Sequence, residues 1–314
     1  MLSTLTESRR VSMLTPPALP ADMVLDTDTY NEVDDQFALT MALLHPGVRL
    51  RAVYAAPFHN ELSTGPADGM EKSYEEILRL FDRVTASYPD TVIPPAFRGA
   101  TGYMTKRQPA DSPAARDLAA RAMGYTPEKP LVVAAVGCPV NVASALLLAP
   151  EIADRIVIVW LGGQPHDWAT AREFNLQQDH ASSALLFDSG APLVQIPCQQ
   201  VTDHLLVTLP ELEHYLADST PIGAYLLGMV KDWAAKVGLS RQPVWSKVIW
   251  DVSAIAWCAL PGSIRTALVP APRLTEELTY AGDRARHLMA EAYAVDRDRI
   301  FREIYTLLGA KELQ

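Results

Sequence analysis

The chain has 314 residues, 49% of them hydrophobic and 20% charged, with a formal net charge of −10. That length can bury a sizeable core, as one large α/β domain or two ordinary ones. The acidic balance and the lack of a basic run argue against a nucleic-acid polymer as partner. Cys138, Cys198 and Cys258 form no CxxC pair, so neither a disulfide framework nor a zinc site is expected, and each is assigned to the core. Residues 1–20 are polar and then proline-rich, without a stretch of signal-peptide character, and no window reaches the length of a membrane span. The expectation is a cytoplasmic protein with a flexible lead-in over 1–20 and one domain over 21–314.

In chain order, the apolar run 23–25 reads as a buried strand, and Asp34 and Asp35 open a helix over 34–44. Residues 48–55 read as the next strand and 71–87 as an amphipathic helix, with the proline-rich stretch 89–108 taken as a loop. Residues 131–136 form a buried strand, followed by a turn and a helix over 141–148. Residues 155–161 are another strand, 180–189 a helix and 192–196 a strand. From Pro210 onward the pattern is mainly helical, over 222–237, 248–260 and 298–308. Strands alternating with helices predict an open, mostly parallel, Rossmann-like α/β sheet flanked by helices, with a helical C-terminal portion. Ligands of such sheets bind at the carboxyl ends of the strands.

Four segments at such positions are polar where a core would be apolar. The first strand delivers Asp26 and Asp28 into a turn that also carries Glu32, Asp34 and Asp35. Carboxylates so gathered repel one another, and a hard cation with oxygen ligands, calcium or magnesium, would neutralise them. A helix N-terminus attracts acids in any case, which accounts for Asp34 and Asp35 but not for the pair on the strand. The second segment, Val136-Gly137-Cys138-Pro139-Val140-Asn141, is a tight turn in which Asn141 reads as an N-cap. The same turn exposes the Val136 carbonyl, a possible calcium ligand. In the third, Glu173 and Asn175 flank Phe174 and would project together from an extended segment, offering hydrogen bonds to sugar hydroxyls. In the fourth, Asp251 is the sole charge in an apolar helix, costly to bury without a partner cation.

Together these segments resemble the nucleoside hydrolase family, the inosine–uridine-preferring N-ribohydrolases, over nearly the whole chain. The resemblance rests on Asp26-Thr27-Asp28 with Asp34-Asp35, a GxxxN turn from Gly137 to Asn141, Glu173-Phe174-Asn175 with Asp179, and Trp250-Asp251. It implies calcium-dependent hydrolysis of the N-glycosidic bond of ribonucleosides to free base and ribose. By motif, Asp28, Asp35, the Val136 carbonyl and Asp251 would hold one calcium ion. Asp28 would take a proton from the attacking water, and the transition state would be oxocarbenium-like. Asp34, Asn60, Glu173, Asn175 and Asp251 would contact the ribose, with Asp26 bracing the turn. A homodimer or homotetramer is implied as well.

Three departures from the family pattern stand out. The common turn, DTDPGxDD, has three residues between its acidic groups, whereas five intervene here and Glu32 is among them. The family's Gly-Asn before the EFN segment is missing, with His166 and Asp167 in that region. Trp250 stands where pyrimidine-accepting members often carry a histidine, which suggests a purine preference. Stacking a base on an indole contributes about 1–3 kcal/mol in other settings. Leaving-group protonation is then unassigned, with His59 and His166 as possible donors. Two rival readings are a catalytically silent nucleoside- or sugar-binding protein on the same scaffold and a magnesium-dependent phosphatase with a DxD motif.

Overall fold

The computed structural model describes residues 2–313. Twelve strands occur among them: β1 (Ala21–Thr27), β2 (Val48–Ala55), β3 (Ala96–Arg98), β4 (Leu131–Ala135), β5 (Ile156–Leu161), β6 (Leu193–Ile196), β7 (Leu206–Thr208), β8 (Ser246–Val248), β9 (Ile264–Pro270), β10 (Arg273–Leu274), β11 (Tyr280–Ala281) and β12 (Leu288–Val295). Eight build one sheet in the order β3-β2-β1-β4-β5-β6-β12-β9, parallel except for β9, which runs antiparallel to β12. The strands β7 and β8 form a separate antiparallel ribbon, as do β10 and β11.

Every residue of β1, β4, β5 and β6 is buried, as expected for central parallel strands covered on both faces. Alternation along β1 feeds two cores: Met23 and Leu25 pack on one side, Val24 on the other. The first core is closed by the helices Asp35–Leu44, Pro66–Ser87, Val252–Ala259 and Arg297–Leu307. The second is closed by Pro113–Ala122, Val140–Leu148 and His180–Ser189. Each fully buried aliphatic side chain contributes about 1.5–3 kcal/mol toward holding these layers.

The parallel α/β architecture agrees with the sequence expectation, but its C-terminal portion is not simply helical. Strand β12 inserts between β6 and β9, completing the sheet. Its run Leu-Met-Ala-Glu-Ala-Tyr-Ala-Val is rich in good helix formers, and tertiary pairing overrides that preference. Strand β3 lies inside the stretch taken as a loop, a three-residue edge strand too short for a periodicity signal. The expected flexible lead-in is also corrected over residues 2–20. A helix, Glu7–Met13, docks there with Arg10 and Met13 buried, Ser3 bonding Asp154 and Arg10 bonding the Gly190 carbonyl.

Candidate active site

At the carboxyl ends of the central strands lies a cavity of about 570 Å³, lined by residues of all four polar segments. Strand β1 ends at Thr27, so Asp28 enters the turn fully buried, and the turn returns through Asp34 to the helix at Asp35. Gly137, after β4, permits close approach: a Cβ there would lie 3.1 Å from the Asp28 Cγ. Asp251 sits immediately before the helix Val252–Ala259 rather than within one, because β8 occupies the preceding residues. It is the sole charged residue of the stretch 248–260, and it is buried.

Asp34, Asp35 and Asp251 each present a carboxylate oxygen within 4.8 Å of the others. Asp35 accepts a hydrogen bond from the Thr27 hydroxyl. Burial, then the charges of Asp35 and Asp34, holds the Asp28 carboxyl well above the usual range. Burial followed by repulsion from Asp34, Asp35 and Asp28 does the same to Asp251. Burial also raises Asp34 and Asp35, opposed at Asp34 by the Lys247 charge and at Asp35 by the Thr27 hydroxyl. One oxygen of Asp28, Oδ2, is buried without a hydrogen-bond partner. An all-oxygen, mutually repelling cluster with an orphaned acceptor fits a hard divalent cation such as calcium or magnesium.

Asp26 lies behind this cluster. Its Oδ1 accepts from Asn141 Nδ2 at 2.8 Å, and its Oδ2 has no partner. Burial pushes its carboxyl up to about 7, with the Asn141 bond opposing. Asn141 is therefore not the helix N-cap; Pro139 holds that position, and the Asn141 amide ties β1 to the Ala100 backbone, from whose N–H it accepts at 2.8 Å. Asn141 lies in the first turn of the helix Val140–Leu148, and its buried amide bridges Asp26 and Ala100 instead of capping.

The segment around Phe174 is helical, over Phe174–Gln178, rather than extended. Glu173 caps it, accepting from the backbone N–H groups of Asn175 and Leu176 at 2.9 and 3.0 Å and from Gly163 at 2.9 Å. This capping bends the chain, yet Glu173 and Asn175 still line the cavity together. Desolvation raises the Glu173 carboxyl and the three N–H donors oppose it. Asn175 donates to the Val136 and Leu161 carbonyls at 2.9 and 3.2 Å, and Asn60 donates to Asn31 at 2.6 Å. The Val136 carbonyl keeps a second lone pair beyond the Asn175 bond.

Lys247 and a further set of lining residues escaped the sequence reading. Glu32, the extra acid of the long turn, pairs at 3.0 Å with Lys247, which is 3% exposed. The Lys247 ammonium also donates to the Val248 carbonyl at 2.6 Å and lies 5.1 Å from the Trp233 ring centroid. It bridges the acidic turn and the segment that delivers Asp251. A lone lysine in a mixed polar stretch gives no sequence signal for this. Trp233, Lys236 and Val237 bring the end of the helix Pro221–Lys236 to the cavity beside Trp250, while Gln164 and Cys198 line its other parts. No histidine lines the cavity among the described residues. His59 is exposed, and His166 bonds Gln195 at 2.7 Å and faces Glu291, so neither possible proton donor is at the site.

The chain matches the profile of the inosine-uridine preferring nucleoside hydrolases over residues 23–300. It belongs to that family. It is accordingly a ribonucleoside hydrolase, an enzyme that cleaves N-glycosyl bonds, and the phosphatase alternative falls with this assignment. Among relatives, the pyrimidine-specific ribonucleoside hydrolase RihA of Enterobacter sp. strain 638 is 28% identical over 269 residues, covering 78% of this chain and 80% of that protein. Solved structures with the same fold include the plant nucleoside hydrolase PpNRh1, with a TM-score of 0.72 at 18% identity over 93% of this chain and 99% of that one. A purine-preferring ribonucleoside hydrolase from Gardnerella vaginalis gives a TM-score of 0.69 at 23% identity, with coverage of 91% and 98%.

Proposed function

We propose that this enzyme hydrolyses purine ribonucleosides in preference to pyrimidine ones, with one calcium ion held by Asp28, Asp35, the Val136 carbonyl and Asp251. The observation that supports the ion most directly is the buried, unpartnered Oδ2 of Asp28 beside three converging carboxylates. Held by these residues, the ion would make a water far more acidic than bulk water. Asp28 accepts the proton of the attacking water as the new bond forms at the anomeric carbon and the bond to the base breaks. Asp34, Asp251, Glu173, Asn175 and Asn60 hold the ribose hydroxyls. Their charge-assisted bonds orient the ring and oppose the positive charge that develops on it. Glu173 is fixed for this role by its three backbone donors, so little reorganisation accompanies binding.

The purine preference is supported by the two indoles, Trp233 and Trp250, at a cleft without a lining histidine. A larger base gains more from stacking on such faces. Reducing sugar released from inosine, guanosine, uridine and cytidine under one set of conditions tests the reading. The purine nucleosides are expected to have at least about tenfold higher kcat/KM. Equal or higher values for uridine or cytidine would overturn the preference and leave the hydrolysis itself standing.

A further inference from the structure

A second cavity, of about 730 Å³, lies at the amino end of β12, the end of the parallel strands opposite the acidic cleft. Five arginines line it: Arg10, Arg107, Arg273, Arg284 and Arg286. Two of them have structural duties. Arg10, 2% exposed, bonds the Gly190 carbonyl at 2.8 Å and pairs with Glu7, fastening the first helix to the body. Arg286 bonds the Phe187 carbonyl and pairs with Asp188 at 2.8 Å. These duties leave Arg286 incomplete: its side chain is 9% exposed, and its Nη1 is buried with no acceptor.

Fastening the first helix does not explain the other three. Arg107 reaches Asp188 only at 3.6 Å, and Asp188 is already paired with Arg286. Arg273 is paired outward with Asp283 at 3.1 Å, and Arg284 is exposed and has no ion pair among the described residues. Five guanidinium groups against Glu7, Asp188 and Asp283 leave a surplus of two positive charges, on a chain whose net charge is −10. The field is felt locally: burial, then the charges of Arg10 and Arg286, pushes the neighbouring His287 imidazole down to about 4.

We propose that this cavity is a binding site for a phosphoryl dianion, free or as a phosphomonoester, gripped by Arg107, Arg273, Arg284 and Arg286. The surplus of two matches the charge of the dianion, and the planar guanidinium fork matches its oxygens. The volume leaves room for an ester substituent as well as for the phosphoryl group. The site is independent of the nucleoside cleft, because none of its lining residues lines that cleft.

Calorimetric titration of the full-length enzyme with inorganic phosphate and, separately, with ribose 5-phosphate tests the proposal. One saturable site is expected for at least one of the two, with Kd below about 10 mM. Tighter binding of the ester would identify the phosphomonoester as the ligand class, and equal or weaker binding would identify free phosphate. The double charge reversal Arg107→Glu with Arg284→Glu, at two exposed positions, is expected to weaken that binding by at least about tenfold while leaving nucleoside hydrolysis and the melting temperature unchanged. Asp35→Asn, in the other cavity, is expected to leave phosphate binding intact. No saturable binding, full binding by the double variant, or loss of binding in Asp35→Asn would each overturn the proposal.

Discussion

The two ends of the sheet handle like charge in opposite ways. At the carboxyl ends, Asp28, Asp34, Asp35 and Asp251 are buried together, and at Asp34 the Lys247 charge opposes the rise that burial causes. At the amino ends, the arginines that are buried have carboxylate and carbonyl partners, and the three that crowd them are open to water. Solvent screens the second cluster, so it persists without help and gains only modestly from an anion. The first cluster has no such relief. Burial first, and repulsion among the carboxylates after it, raise Asp28 and Asp251 well above their ordinary range, a cost that a hard cation held among them would offset.

Removing a ligand from the acidic end is therefore expected to have the largest effect. Asp251→Asn should lower kcat/KM for the best nucleoside by about 10³-fold or more. Elemental analysis of the purified variant should find well under one ion per chain. Full metal content would show that Asp251 is not a ligand.

A pH titration sharpens the contrast next. In the metal-free protein, Asp26 is pushed up to about 7 and Asp28 and Asp251 well above their ordinary value. Groups raised on folding stabilise fully below their unfolded value, near 3.8 for aspartate. That stabilisation is lost as pH rises through the folded value. The unfolding free energy of the chelated enzyme should thus fall between about pH 5 and about pH 8, by on the order of 1 kcal/mol or more. Saturating calcium should flatten or reverse the trend. A chelated protein whose stability rises over that interval would contradict the picture of mutually repelling, uncompensated acids.

A smaller effect is expected at Lys247. Lys247→Met removes the partner of Glu32 and the donor to the Val248 carbonyl. Glu32 is 34% exposed and regains some water, so the cost should be about 1–3 kcal/mol by chemical denaturation rather than that of a fully buried pair. Adding Glu32→Gln should restore part of it, and failure to do so would mean the pair is not the link between the turn and Asp251. At the other end of the sheet, Arg107→Glu with Arg284→Glu should change hydrolysis least of all.

The acidic end was largely legible in the sequence. Period-two placement of Asp26 and Asp28, and the isolation of Asp251 among apolar residues, report the cost of burying charge, which acts on the sequence directly. Helix and strand alternation also reports the parallel sheet. What escaped depended on contacts distant in the chain. Lys247 gains its meaning only when β8 lies beside the turn that holds Glu32, and Trp233 only when its helix end reaches Trp250. The basic cavity is assembled from five separated arginines with no run among them. Local signals also misled: β12 has a helix-like composition, and Glu173 caps a helix where alternation around Phe174 suggested an extended segment.

The central claim is that the acidic end works as a calcium-dependent nucleoside hydrolase site. It is tested most directly by following ribose release from inosine through chelation and metal return, with metal content measured at each stage. Activity is expected to disappear as the ion is removed, to return with about one equivalent of calcium, and not to return in Asp35→Asn. Undiminished ribose release from enzyme verified to be metal-free would contradict it.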